Sequence, residues 1–207
     1  MKENGNSPGF PYIAEHIFAP IYPIIAARII KESGIKEGIC LDLGCGIASL
    51  GIAVAELSPM QIYAVDMSQE MCELSKDKAY RHGVTDRVTP VHADVHDLPF
   101  PDGYADLVVS RGSVFFWKDL PIAFVEIARV LALGGQAWIG GGFGTTELKE
   151  QIAEKMTALD PNWSNDSKKR LSPENLRTIQ EAGRQTGLAC HTVHDGSGFW
   201  VVISKGG

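Results

Sequence analysis

The chain has 207 residues, of which 44% are hydrophobic and 21% charged, and its formal net charge is −6 at pH 7. This length predicts one soluble domain, and the acidic balance without a long run of Lys or Arg argues against a nucleic-acid or membrane partner. No stretch approaches the ~20 apolar residues of a membrane span, and the polar first residues do not resemble a signal peptide, so we expect a cytoplasmic protein.

The predicted elements alternate between strands and helices along most of the chain. In chain order they are a strand over 38–43, a helix over 48–57, a strand over 61–66, a helix over 68–82, strands over 88–93 and 105–110, a helix over 119–131, a strand over 136–139, helices over 145–159 and 172–186, and strands over 188–193 and 199–204. The polar stretch 160–171, with a basic cluster at 168–170, is predicted as a loop, either a mobile flap over the substrate or a surface connection between helices. The turn over 195–198 is short enough for a hairpin, which makes the last strand antiparallel.

This alternation predicts an α/β fold of the Rossmann-like, doubly wound type. The expected sheet has seven mostly parallel strands, helices on both faces and an antiparallel C-terminal hairpin strand. We expect a single domain over 1–207. It divides into an N-terminal helical lid (1–37), a cofactor-binding core (38–144), and C-terminal helices with the closing hairpin (145–207).

The most informative segment is the loop after the first strand. An apolar run ends at Asp42, and Gly44 and Gly46 follow before the next helix. Glycine lets the backbone approach a ligand closely, and a carboxylate at the strand end disfavours phosphate. In doubly wound sheets ligands bind at the carboxyl ends of the strands, where Asp66 and Asp94 also lie. The pattern therefore predicts a nucleoside site.

The same residues carry a family resemblance. The run Asp42-Leu43-Gly44-Cys45-Gly46-Ile47-Ala48 is similar to the D/E-x-G-x-G-x-G signature of class I S-adenosylmethionine-dependent methyltransferases, with Ala48 in place of the last glycine. Four later segments resemble the family's further motifs in order, and together they place the chain in the small-molecule, type 11 branch. They are Ala64-Val65-Asp66-Met67-Ser68, Ala93-Asp94-Val95 with Leu98-Pro99-Phe100 and Asp102, Ala105 to Ser110, and Glu126 to Leu131 followed by Gly134-Gly135.

The resemblance implies S-adenosylmethionine as the cofactor. The residues that it assigns to cofactor binding are Asp42, Gly44, Cys45, Gly46, Asp66, Met67, Asp94, Val95 and Ser110. In this assignment Asp66 accepts from both ribose hydroxyls, Met67 and Val95 lie against the adenine, and Asp94 accepts from the adenine amino group. Asp42 acts through a water or the cofactor's ammonium. Ser110, with Arg111 as a further candidate, lines the methionine end.

The acceptor is expected to be a small molecule, because the loop after the fourth strand lacks an Asn-Pro-Pro-Tyr type tetrapeptide. Its walls are predicted to come from the aromatic-rich N-terminal segment and from Phe115, Phe116, Trp117 and Phe143. Transfer from a sulfonium needs mainly alignment, so catalytic residues are not determined by the sequence. The candidates are His16, Tyr12 and Arg111. No metal ligands are predicted, and the protein is expected to be a monomer or a homodimer.

Other functions remain open at this point. An NAD(P)-dependent Rossmann oxidoreductase would share Asp66, but its G-x-G-x-x-G fingerprint needs glycine where this chain has Ser49. A non-catalytic nucleoside-binding regulator would keep the loops and lack an acceptor pocket. Methylation of arsenic or another thiophilic acceptor is suggested by Cys45 and Cys72, although Cys72 is predicted inside a helix and Cys190 on a late strand, away from the site.

Overall fold

A computed structural model describes residues 9–207 and places seven strands in one sheet. The strands are β1 (Ile39–Leu43), β2 (Gln61–Asp66), β3 (Val88–His92), β4 (Ala105–Arg111), β5 (Leu131–Gly142), β6 (Ala189–Asp195) and β7 (Gly198–Ser204). Their order is β3-β2-β1-β4-β5-β7-β6. The first five strands run parallel, whereas β7 pairs antiparallel with both β5 and β6. The predicted fold class is confirmed.

Helices connect and cover these strands. They are α1 (Phe10–Tyr12), α2 (Ile21–Ser33), α3 (Ser49–Leu57), α4 (Gln69–Arg81), α5 (Leu120–Val130), α6 (Thr146–Leu159), α7 (Trp163–Arg170) and α8 (Pro173–Gln185). A π-helical turn (Ile13–Ile17) continues α1, and a 3-10 turn (Val114–Phe116) follows β4.

The alternation of side chains along the strands divides the core into two layers. In β4, Leu107 and Val109 pack with α2 and α3 on one face, whereas Val108 packs with α5 and α8 on the other. Successive residues of a strand point to opposite faces, so a strand covered on both sides must be apolar throughout. Because β1 pairs in parallel with both β2 and β4, the carboxyl ends of these three strands lie together at one end of the sheet.

Four helices begin at a residue that caps them. The side chains of Ser68, Asp119, Thr145 and Ser172 each accept a hydrogen bond from the backbone nitrogen three residues later. Such caps satisfy one of the free N–H groups of a first helical turn. They explain why the sequence predicts these four helix starts to within a residue.

The N-terminal segment lies over the carboxyl ends of the strands as two bent helical pieces. Within residues 9–207 no single helix is both long and apolar enough to cross a membrane, but the pieces Phe10–Ile17 and Ile21–Ser33 together pass that test by length and composition, with a 76° bend between them. Glu15 pairs with Arg81 of α4 at 2.6 Å, which ties the first piece to the domain. The first eight residues of the predicted lid lie outside the described residues.

One predicted loop is wrong. The polar stretch 160–171 contains helix α7, which packs through Trp163 against Phe143, with ring centroids 6.4 Å apart. Its polarity hid the helix, because only this one side chain is large and apolar. The basic cluster at 168–170 falls in its last turn, where positive charge stabilises the helix dipole.

The fifth strand is longer than predicted. The Gly134-Gly135 pair predicts a turn before the strand, yet β5 already begins at Leu131, which pairs with Ala105 before the register shifts. Gly134 has φ of 81°, so it bends the chain. The bend is absorbed within the strand because Gln136 resumes the pairing opposite Leu107.

Candidate active site

The loop after β1 is built so that only small residues fit. Gly44 and Gly46 have φ of 63° and 56°, in the left-handed region that favours glycine. A Cβ atom on Gly44 would clash with Ser113, and one on Gly46 would clash with the ring of Phe10. The backbone nitrogen of Cys45 donates to the carbonyl of Val65 at 3.0 Å. The loop is therefore fixed to β2 below and covered by the lid above.

Asp66 joins the second strand to this loop. Its Oδ2 accepts from the backbone nitrogen of Gly46 at 2.8 Å, and its Oδ1 accepts from that of Ser68 at 3.0 Å. A carboxylate oxygen can accept two hydrogen bonds, so each oxygen keeps capacity for a hydroxyl donor. This is the arrangement that a pair of ribose hydroxyls requires.

Asp42 is directed at helix α3. The side chain is 2% exposed, and its Oδ2 accepts from the backbone nitrogen of Gly51 at 2.8 Å. It therefore satisfies an N–H of the first turn of α3, which the apolar Ala48 at the N-cap position does not. Burial raises the pKa of Asp42 to about 7, against the opposing effect of the Gly51 hydrogen bond.

Ala48 adopts the conformation that the family signature gives to glycine. It has φ of 55° and ψ of 31°, and it is the one non-glycine residue with positive φ among residues 9–207. The left-handed region costs an L-residue roughly 1–2 kcal/mol. Ala48 is completely buried. The departure from the signature is thus accommodated with strain.

The residues predicted around the adenine lie after β2 and β3. Met67 stands 67% exposed beside Asp66, while Val95 is buried in the core. Asp94 uses Oδ1 to accept from His96, through the backbone nitrogen at 3.0 Å and ring Nδ1 at 2.5 Å. These bonds, the backbone one foremost, lower the pKa of Asp94. Its Oδ2 forms no hydrogen bond with residues 9–207, so it stays available to a donor.

Ser110 is buried and acts within the protein. Its hydroxyl lies 2.6 Å from that of Ser113, which in turn donates to the carbonyl of Leu43 at 3.0 Å. Ser110 therefore donates to Ser113, and these two hydrogen bonds connect the end of β4 to the end of β1. The structure places Ser110 behind the loop, where it supports the loop's shape.

Of the three catalytic candidates, only Arg111 is enclosed. Its Nε donates to the carbonyl of Gly142 at 3.1 Å, and its guanidinium carbon lies 4.5 Å from the ring centre of Phe18. Burial lowers its pKa. Tyr12 and His16 lie against each other in the lid, with ring centroids 4.5 Å apart and ring planes inclined by 52°, and both are exposed.

The four predicted acceptor-lining residues fall into two groups. Phe143 lies on the lid side of the sheet, near Arg111. Trp117 packs against Phe124 of α5 on the opposite face, and Phe115 also contacts that part of the core. Phe116 is 67% exposed. The structure brings the lid aromatics together around Phe143, and this grouping differs from the predicted one.

Cys45, which lies within the loop, stays protonated as a thiol. Burial raises the pKa of Cys45 well above its usual value, and the neighbouring Asp42 and Asp66 add to the rise. The pKa of Cys72 is also raised by burial. Over residues 9–207, no three metal-binding side chains converge on one point.

Of two further residues near the loop, Lys78 had no signal in the sequence, and Phe10 was predicted only as part of the aromatic lid. Lys78 is buried and its Nζ donates to Ser49 Oγ at 2.6 Å. Phe10 covers Gly46. A lysine on a polar helix predicts a solvated side chain, so only the contact of Lys78 with α3 in the folded structure reveals this position.

A separate cleft of about 580 Å³, lined by Lys36 and Leu133 among others, lies at the opposite end of the sheet and is not part of this site.

Comparison with known proteins identifies the family. A family model described as a methyltransferase domain matches residues 41–139. A crystal structure from Methanococcus maripaludis, described as a candidate S-adenosyl-L-methionine-dependent methyltransferase, is 43% identical and superposes with a TM-score of 0.91, covering 94% of this chain and 90% of that one. The chain belongs to the S-adenosylmethionine-dependent methyltransferases. The predicted family and cofactor are confirmed.

Curated relatives of this methyltransferase include a 27-O-demethylrifamycin SV methyltransferase from Amycolatopsis mediterranei. It is 33% identical over 48% of this chain and 37% of the relative. A 2-methyl-6-phytyl-1,4-hydroquinone methyltransferase from Oryza sativa subsp. japonica is 37% identical over 68% of this chain and 42% of the relative. The chain thus spans less than half the length of these curated relatives. They give no support to the oxidoreductase or the non-catalytic regulator.

A more distant structure agrees in fold. A methyltransferase from Aquifex aeolicus superposes with a TM-score of 0.68 at 17% identity, covering 95% of this chain and 98% of that one. At this identity the likeness shows the fold alone.

Proposed function

We propose that this chain transfers a methyl group from S-adenosylmethionine to a small-molecule acceptor. The observation that carries the proposal is the pairing of Asp66 with the loop at Gly46, which leaves both carboxylate oxygens with capacity for the ribose hydroxyls. The resident donor supplies a methyl group already activated on a sulfonium, so the protein has to align the reactants and exclude water.

The chain's own residues meet those two needs. Gly44 and Gly46 allow close approach of backbone, and Asp66 orients the nucleoside. The lid covers the loop, because the ring of Phe10 lies against Gly46, and the lid's Ile17 and Phe18 are buried in the core. These features support donor binding in an enclosed site.

The acceptor side favours an aromatic or otherwise apolar molecule. Phe143 stands between Phe18 and Trp163, with ring centroids at 6.3 and 6.4 Å in edge-to-face arrangements. Pockets for small ligands are mainly apolar, with a few polar groups that set orientation. The curated relative from rice is named for a hydroquinone, and we extend this acceptor type to the present chain as part of the proposal.

A turnover assay tests the proposal. The protein is incubated with S-adenosylmethionine and a panel of hydroquinones, phenols, thiols and amines, and formation of S-adenosylhomocysteine is followed by mass spectrometry. We expect product with at least one hydroquinone or phenol and none from the Asp66→Ala variant. Equal product from wild type and variant with every acceptor would count against the proposal.

The remaining expectations stay predictions. They are a cytoplasmic location, a monomeric or homodimeric state, a small-molecule partner without nucleic acid or membrane, and one domain divided as 1–37, 38–144 and 145–207.

A further inference from the structure

Two cations from different elements converge on the start of helix α3. Lys78 of α4 is 6% exposed, and its Nζ lies 2.6 Å from Ser49 Oγ and 6.0 Å from the ring centre of Tyr22. Arg111 follows β4, and its guanidinium carbon lies 5.8 Å from the same Tyr22 ring. Burial raises the pKa of Tyr22, and the nearby Arg111 and Ser49 offset part of that rise.

Neither cation has an anionic partner within residues 9–207. Among the described residues 9–207, no carboxylate lies within 4.0 Å of Lys78 or Arg111. Glu15, the acid with the largest favourable electrostatic effect on Lys78, pairs with Arg81. Burial lowers the pKa of both cations. A charge removed from solvent is costly unless it is paired, so this arrangement favours an anion that residues 9–207 do not themselves supply.

The position of the two cations indicates which anion this is. Asp66 lies at the end of β2 and Arg111 at the end of β4, with β1 and its glycine loop between them. Adjacent strands are about 4.8 Å apart, so the two strand ends are separated by about 10 Å. An amino-acid arm that leaves a ribose at Asp66 and crosses the loop reaches β4 at this distance. The arm of the donor ends in a carboxylate.

We propose that Arg111 and Lys78, with Tyr22 and Ser49 between them, bind the carboxylate of the donor's amino-acid portion. The proposal rests on the proposed function, because it takes S-adenosylmethionine as the ligand. The first turn of α3 adds partial positive charge at the same place. The sequence offered Arg111 both at the methionine end of the cofactor and as a catalytic candidate, and this proposal assigns it to the donor.

The test compares two donors that differ in one group. Decarboxylated S-adenosylmethionine keeps the sulfonium, the ammonium and the nucleoside but lacks the carboxylate. Both compounds are titrated calorimetrically into wild type, Arg111→Met and Lys78→Met. Methionine preserves most of the apolar stem of each side chain. The matched controls are Arg170→Met, which removes another arginine that lies over an aromatic ring, and Lys76→Met on the exposed side of α4.

We expect Arg111→Met and Lys78→Met each to weaken S-adenosylmethionine binding about 10–100-fold, since each removes a charge-assisted hydrogen bond. Binding of the decarboxylated compound should be unchanged or tighter in both variants, because its ammonium no longer faces a cation. The two control variants should bind both compounds as wild type does. Thermal unfolding without ligand shows whether each variant is folded, and if Arg111→Met is not, Lys78→Met carries the test.

Equal losses for both compounds would overturn the proposal and show that the cations only hold the lid to the domain. Wild type that binds both compounds equally well would also overturn it. Wild type that binds neither compound would contradict the proposed function itself, which separates the two failures.

Discussion

The carboxylate of Asp66 accepts a 2.8 Å hydrogen bond from the backbone nitrogen of Gly46, so the end of β2 and the glycine loop after β1 form one rigid unit. The same carboxylate retains capacity for two further hydrogen bonds. Asp66 can therefore hold the loop in place and bind a ligand at the same time.

Replacement of Asp66 by Ala should weaken S-adenosylhomocysteine binding at least about 100-fold, since two charge-assisted hydrogen bonds of roughly 1.5–3 kcal/mol each are lost. Asp86→Ala, which removes an exposed carboxylate near the start of β3, is the control and should bind normally. Calorimetric titration measures both, and a change below tenfold for Asp66→Ala would mean that the ribose lies elsewhere.

Ala48 offers a test of backbone strain. Glycine at this position relieves roughly 1–2 kcal/mol of left-handed strain. Two losses oppose this gain: the buried methyl group contributes about 0.8 kcal/mol, and the higher entropy of the unfolded chain costs about 0.4–1 kcal/mol. Ala48→Gly should therefore change the free energy of unfolding by less than about 1 kcal/mol. Ala48→Val should destabilise by about 3 kcal/mol or more, because a branched side chain adds both strain and overpacking. Urea unfolding measures the stability of the two variants. Equal stability of Ala48→Val and Ala48→Gly would contradict the strained geometry.

Asp42 predicts a specific pH dependence of stability. Its folded pKa is raised from 3.8 to about 7 by burial, so the folded state binds more protons than the unfolded state between these values. The stabilising contribution is fully present below pH 3.8 and is lost as the pH rises through 7, with a slope of at most about 1.4 kcal/mol per pH unit.

The matched variant is Asp42→Asn, whose amide oxygen can still accept from Gly51 but does not titrate. The free energy of unfolding of this variant relative to wild type should increase from pH 5 to pH 7 and level off above that. Parallel pH profiles for the two proteins would show that Asp42 does not titrate in this range.

Arg129 of α5 holds the loop that carries Asp94. It donates to the carbonyls of Leu98 and Phe100 at 3.0 and 2.8 Å and pairs with Glu126 at 2.7 Å. Arg129→Ala should destabilise the protein by about 2–4 kcal/mol, since several hydrogen bonds are lost and Glu126 is left half-buried without a partner. The variant should also weaken binding of the methyl donor, because the loop that carries Asp94 loses its hydrogen bonds to α5.

The control for Arg129 is Arg184→Ala, which removes a solvent-exposed pair with Glu181 at 4.0 Å. Such pairs contribute about 0–1 kcal/mol, so this variant should unfold like wild type. If the two variants were equally stable, the network around Arg129 would contribute nothing beyond a surface contact.

The extent to which the sequence predicts this molecule depends on how local each signal is. The strands, the helix caps and the loop from Asp42 to Ala48 are encoded over a few neighbouring residues, and the structure has them close to the predicted positions. Helix α7 was missed because its polar composition carries no periodic apolar face, and its one anchor, Trp163, finds its partner Phe143 only in the folded chain.

The candidate site shows the same division. Asp66 and its glycine loop follow from a contiguous motif. The cluster of Tyr22, Ser49, Lys78 and Arg111 comes from four elements spread over 90 residues, and only the packing of α2, α3 and α4 at the end of β4 assembles it. The hydrogen bond of buried Ser110 to Ser113 could not be predicted either, because Ser113 lies beyond the predicted strand.

Calorimetric titration of the wild-type protein with S-adenosylhomocysteine, with NAD as the parallel ligand, tests the central claim most directly. We expect one-to-one binding of S-adenosylhomocysteine and no heat with NAD. Binding of NAD without binding of S-adenosylhomocysteine would contradict the central claim.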